Sequence, residues 1–220
     1  MHCNRKYTPA PKLQGYPESL RKRAAEMYVD GMNLRKIARQ LKVHHRTVAL
    51  WVVDRAETSP NAPMPPEVKE AEMDELFTFI GDKKRIYVLT IVDRQTRCLL
   101  GWAVVWERTQ KAIQQMVDEA PKAKWYYSDG LDAYARLWYH FGRYEVSEGK
   151  SDTYSVEADN AELRHYLARL ARKSRCFSRC PYALRCAIRL FAFCYNSRQL
   201  YKQRYPNYPA HVMDFVSPRN

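Results

Sequence analysis

Between Leu163 and Met213 the chain carries no acidic residue, while eleven basic ones fall in the same stretch, from Arg164 to Arg204. A solvated face usually mixes both signs. A stretch of one sign, interleaved with aromatics such as Phe177, Tyr182 and Phe191, points instead to a phosphate-binding surface on which Arg172, Lys173 and Arg175 track the backbone. Other absences narrow the class further. No segment approaches the roughly 18 apolar residues of a membrane span. The opening MHCNRKYTPAPK lacks the apolar run of a signal peptide, so a cytoplasmic protein with no membrane partner is expected. Cysteine is sparse: six residues are too scattered for a disulfide framework. Cys176, Cys180, Cys186 and Cys194 match no common zinc spacing, and Cys3 with His2 cannot close a tetrahedral site, so no zinc is expected. No internal repeat occurs. What is present is 220 residues, room for one good core plus a small domain, and a net charge of +13 that favours an anionic partner, nucleic acid before membrane.

Composition divides the chain. Residues 1–15 read as a basic tail. Residues 16–55 read as a compact helical unit, with helices over 18–29, 34–41 and about 45–53. Within it the pattern I-A-x-x-L-x-V-x-x-x-T-V matches a helix-turn-helix: Ala38 permits close approach, Val43 plugs the turn and Val48 anchors the second helix. His45, Arg46, Thr47 and Leu50 would then face a DNA groove. Residues 56–72, with four prolines and no apolar period, read as a semi-rigid linker. A catalytic domain over 73–205, with basic C-terminal helices, and a tail over 206–220 complete the expected organisation.

The second domain opens with β-rich runs at 74–81, 86–93 and 99–105, separated by short turns. Thr109 caps a helix to about Glu119, and a strand over 124–129 stops at Asp129-Gly130. A short helix over 132–142, a strand near 144–147 and a helix over 153–173 follow. The order βββαβαβα is that of an α/β ribonuclease H-like domain, a mixed sheet flanked by helices.

At 100° per residue the helix over 153–173 has three faces. Val156, Leu163, Leu167 and Leu170 form an apolar arc, and Glu162, Arg169, Arg172 and Lys173 a charged one. Glu157, Asn160, Arg164, Ala168 and Ala171 form the third. Of the acids near the helix start, Asp159 borders the apolar stripe and Glu162 faces solvent, which leaves Glu157 on the arc of small residues. In a ribonuclease H-like sheet the first strand lies beside the fourth, so Asp74, opening strand one, and Asp129, ending strand four, come within reach of one metal, and Glu157 can join them. Glu75 is an equally acidic neighbour, Asp93 also sits at a strand end, and Asp129-Gly130 is a plausible turn. Three carboxylates form an oxygen-rich site for two Mg²⁺ or Mn²⁺ ions, suited to phosphoryl transfer.

The segments MDELFTFIG and YYSDG, and the run T-x-x-x-E-x-x-N-x-x-L-R-x-x-L-A-R-L-x-R-K followed by Phe177-Ser178, resemble the transposases of the IS one family of insertion sequences. The resemblance covers roughly residues 16–200. It implies a DDE enzyme with Asp74, Asp129 and Glu157 as catalytic metal ligands and Arg164 as a DNA contact near the cleaved end, beside Asn160. It further implies hydrolysis that exposes a 3′-hydroxyl at the element's terminal inverted repeats, then attack of that hydroxyl on double-stranded target DNA. Two ends must meet, so a homodimer or larger assembly is expected. Family members usually carry a zinc ribbon before the helix-turn-helix, of which residues 1–15 would be a remnant. Two alternatives remain open: a helix-turn-helix regulator with an inactive ribonuclease H-like domain, and a related nuclease without strand transfer.

Overall fold

The computed structural model describes residues 15–82, 84–147, 154–171, 176 and 178–217, with backbone alone at 154–157 and 159. Three helices come first: α1 (Glu18–Val29), α2 (Leu34–Leu41) and α3 (His45–Thr58). The Asn33 carboxamide caps α2 by accepting from the Lys36 amide, and the His44 imidazole does the same for α3 through Arg46. Between α2 and α3, Lys42 takes the left-handed conformation, φ 54°, and the Val43 amide returns to the Ala38 carbonyl. Ala24, Ala25, Ile37, Val48, Val52 and Ala56 are buried between them.

Five strands follow: β1 (Val68–Ile80), β2 (Lys84–Asp93), β3 (Leu99–Val105), β4 (Ala123–Ser128) and β5 (Arg143–Val146). Their order in the sheet is β3-β2-β1-β4-β5, with β1–β2 and β2–β3 antiparallel and β1–β4 and β4–β5 parallel. The β-branched run Thr90-Ile91-Val92 in β2 is buried on both faces, as a central strand requires. The remaining helices are α4 (Gln110–Glu119), α5 (Asp132–Ala135), α6 (Tyr154–Tyr166) and α7 (Pro181–Arg204). This five-stranded mixed sheet flanked by helices is compatible with a ribonuclease H-like fold.

Alternation sorts β1 between two cores. Leu76 and Ile80 join one cluster with Leu163, Leu167, Leu170 and the middle of α7; Met73 joins another with Leu89, Ile91, Ile113, Met116 and Tyr134 under α4 and α5. α7, about 36 Å long, is the central strut. Every residue from Leu190 to Asn196 is buried, a helix enclosed almost all round. One side of the first cluster is built from α1, α2 and α3, so these helices share a core with α7 and the sheet. Arg189 fastens the junction: its Nε donates to the Ala56 carbonyl at 2.8 Å and Nη2 to that of Ser59 at 3.1 Å, satisfying groups at the end of α3. Asn196, fully buried, accepts from the Leu99 amide and donates to the carbonyls of Leu99 and Pro63.

Several boundaries differ from expectation. α3 runs five residues beyond Val53, and β1 starts at Val68, so the extended connection occupies 59–67 rather than 56–72. α5 stops at Ala135 instead of running to 142, because side chains of α4 take its backbone groups. Gln110 donates to the Arg136 carbonyl, and Gln114 both donates to the Trp138 carbonyl and accepts from its amide. Gly142 follows; a Cβ there would lie 2.6 Å from the Tyr126 ring and 2.7 Å from the Ala123 carbonyl. α6 ends at Tyr166 rather than continuing to 173. The next turn is tightened by a hydrogen bond from the Leu170 amide to the Leu167 carbonyl, and both leucines are buried in the core, while the Thr78 hydroxyl donates to the Arg169 carbonyl. Residues 210–216 are no loose tail: Ala210, Val212, Phe215 and Val216 are buried, with a 3-10 turn at Val212–Phe215. Among the described residues no helix is long and apolar enough to cross a membrane.

Candidate active site

Asp74 lies in the middle of β1, not at its start as the sequence pattern predicts. β4 pairs with β1 only from Val68 to Glu72, so β1 projects past its parallel neighbour just where Asp74 and Glu75 occur. Beside this stretch runs a cleft of about 670 Å³ lined by Asp74, Glu75, Asn160, Ala161, Arg164, His165 and Ala171. Asn160 and Arg164, on one arc of α6, therefore face the acidic step in β1.

Asp74 is half-buried and its carboxyl strongly perturbed. Desolvation pushes its carboxyl up to about 6, against the opposing bonds from the Glu75 amide and the Asn160 side chain; the charges of Glu75 and Asp129 push the same way as burial. Asn160 Nδ2 donates to Asp74 Oδ2 at 2.5 Å, and the Thr90 hydroxyl lies 3.1 Å from the Asp74 carbonyl and 3.4 Å from Asn160 Oδ1. Asn160, only 2 % exposed, is thus a buried strut in the wall of the cleft.

Asp129 follows the last residue of β4, exposed, and accepts weakly from the Leu131 amide. Gly130, φ 85°, takes the sharp turn after it. Glu75 points to the other face of the sheet, where it accepts from the Tyr134 hydroxyl at 2.9 Å and pairs with Arg108. Burial raises the Tyr134 hydroxyl pKa, and the charges of Glu75, Asp74 and Asp129 add to the effect, so it stays a donor. The backbone of Glu157 lies in α6; its side chain is outside the described residues. Among those described, no three His, Cys, Asp or Glu side chains form a cluster able to hold a metal ion. Asp93 is buried and caps the β2–β3 turn through the Thr96 amide.

The other residues singled out from sequence lie elsewhere. Arg46 and Leu50 are exposed on α3, with His45 and Thr47 half-buried. Partial desolvation lowers the pKa of the His45 imidazole, and the cationic neighbours His44, Arg35 and Arg46 lower it further. Arg172, Lys173 and Arg175 fall outside the described residues. Much of the basic run serves the fold. Arg169 bonds Ser178 and the Ala183 carbonyl, Arg185 the Val104 carbonyl, Arg189 the end of α3 and Arg198 the Ala210 carbonyl.

Residues 68–187, more than half of the chain, match the family model described as IS1 transposase. The chain belongs to the IS1 transposase family. The family match opens at the first residue of β1 and runs into α7, so it contains Asp74, Asp129, Glu157 and the whole sheet. Residues 19–61, which cover α2, α3 and all of α1 but Glu18, match a second model, that of a proposed ATPase subunit of terminase (gpP-like). That match spans a fifth of the chain. No curated protein matches the chain.

Sequence reasoning passed over Thr90, Arg108 and Tyr134 and treated Glu75 only as a rival of Asp74. One signal was available. A hairpin centred on residue 82 pairs Asp74 with Thr90, and that is the observed register.

Proposed function

We propose that this IS1-family chain is a DDE DNA transposase in which Asp74, Asp129 and Glu157 are the catalytic acids. The observation that carries the reading is the half-buried Asp74 carboxyl, raised to about 6 in a cleft shared with Arg164 and within the field of two further carboxylates. A carboxylate held in that setting is short of a cation, and an all-oxygen donor set suits hard divalent ions, so the residues fit Mg²⁺ or Mn²⁺. Asp74, Asp129 and Glu157 would hold the ions, two per site. When bound, such ions supply an activated attacking oxygen and charge stabilisation for the leaving one. The chain's own residues do the rest. Asn160 fixes the orientation of Asp74, Thr90 anchors Asn160 to the sheet, and Arg164 offers a guanidinium to a phosphodiester entering the cleft. Hydrolysis at the terminal inverted repeats of the element would expose a 3′-hydroxyl, which then attacks double-stranded target DNA.

The same reading treats α2 and α3 as a helix-turn-helix. Support comes from buried Ala38 and Val48, and from Arg46 and Leu50 standing outward at the start of α3. Bringing two element ends together calls for a homodimer or larger assembly. A strand-transfer assay with Mg²⁺, the genomic flanks supplying the terminal repeats, tests the proposal. Joined product is expected. Cleavage without joining would reduce the chain to a nuclease, and binding alone to a regulator.

A further inference from the structure

Beyond the acids, β1 carries a second row. Alternation places Glu75, Phe77 and Phe79 on one face of the sheet, about 6.7 Å apart. The row lies on the face of the sheet opposite Asp74, and Glu75 borders the cleft at the edge of β1 that β4 leaves unpaired beyond Glu72. Phe77 and Phe79 are 49 % and 37 % exposed, whereas Leu76 and Ile80 between and beyond them are buried. Their rings meet edge to face at 6.0 Å, and Tyr87 is the cross-strand partner of Phe77. Two guanidinium groups already sit on these rings: Arg85 lies 4.7 Å from the centroid of Phe77 and Arg108 4.9 Å from that of Tyr87. The carboxylate in the row, Glu75, is occupied by Arg108 and Tyr134.

We propose that this face of β1 and β2 is a stacking platform for unpaired DNA bases on the strand that leaves the cleft. The inference rests on the DNA-transposase reading above. Exposed aromatic faces flanked by guanidinium groups offer π-surface to bases and charge to phosphates. A duplex cannot use the rings in this way, because paired bases present only their edges. The row begins at the unpaired edge of β1 that borders the cleft of Asp74, so a strand frayed beside the cut reaches the platform by crossing that edge.

The test uses the full chain and a mixed-sequence oligonucleotide of about 12 nucleotides, labelled with 2-aminopurine, as a single strand and as its duplex. Base stacking should quench the probe. Phe77→Ala with Phe79→Ala should weaken single-strand binding roughly 5- to 100-fold while duplex affinity holds. Phe77→Leu with Phe79→Leu, which keeps apolar volume and removes the rings, should lose the quenching too. Equal single-strand binding by the leucine variant overturns the proposal. So does a loss accompanied by a smaller sedimenting species, which would assign the patch to a second copy of the chain. Metal-dependent cleavage of duplex ends by the wild type judges the transposase reading separately. Cleavage with no single-strand preference removes only the platform, and single-strand binding without cleavage removes only the enzyme.

Discussion

Replacing Asp74 by asparagine should stabilise the protein, and the gain should depend on pH. Burial holds the Asp74 carboxyl at about 6 in the folded chain, against an ordinary value of 3.8. The folded state therefore binds the proton more tightly than the unfolded state. Stability is fully present below the unfolded value and is lost as pH rises through about 6. A shift of about 2 units corresponds to about 3 kcal/mol of penalty once both states are ionised. The carboxamide introduced by Asp74→Asn would resemble the protonated acid: its carbonyl still accepts from Asn160, while its new amide group needs a partner, at a cost of about 1 kcal/mol. The net gain at pH 8 is then about 2 kcal/mol, or roughly 4–8 °C in a chain of this size. At pH 5 the unfolded wild type is still ionised and the folded one mostly protonated, so the gain should shrink by about 1.5 kcal/mol. Paired thermal melts at the two pH values in EDTA make the measurement. Adding Mg²⁺ should raise the wild type toward the variant, since a cation offsets the charge that the carboxamide lacks. A variant less stable than wild type at pH 8, or a gain that ignores pH, would refute the reasoning.

Three further outcomes are expected. Glu157→Gln should abolish cleavage and strand transfer with DNA binding and melting temperature intact, whereas Glu162→Gln should keep most activity; equal losses would mean that the wrong face of α6 was chosen. Asn196→Ala strands the Leu99 amide and two carbonyls, and should cost about 2–4 kcal/mol in urea unfolding. Arg46→Ala should reduce discrimination between DNA sequences in competition binding, and an unchanged ratio would count against α3 as a reading helix.

Local chemistry was legible where it acts alone. α1 and α2 appear at the expected residues, Thr109 caps α4 through the Ala112 amide, and β3 has the expected ends. The strand order follows from element order. Expectation failed where a distant side chain decides. Nothing within 132–142 reveals that Gln110 and Gln114 will take the backbone groups a longer α5 needs. Charge counting likewise cannot tell a guanidinium bound for phosphate from one bound for a carbonyl, which is why the basic run as a whole reads as a phosphate-binding surface although Arg169, Arg185, Arg189 and Arg198 bond carbonyls of the fold. Asn160 was found by its helix arc, but its partners, Asp74 and Thr90, lie 86 and 70 residues away in sequence.

The Arg189 junction has a mechanical consequence. Because α3 ends on a guanidinium from α7, and α7 packs on the sheet that carries Asp74, the outward residues of α3 and the acids keep a set separation. On the transposase reading proposed above, such a molecule would act as a caliper on DNA. Inserting one base pair between a recognised site and the cut would shift the phosphate by roughly 3.4 Å along the axis and rotate it about the helix. The protein could follow only by straining bonds such as those of Arg189 and Asn196. The cut position would then be measured by the core itself, and substitutions that soften α7 would blur where the element ends.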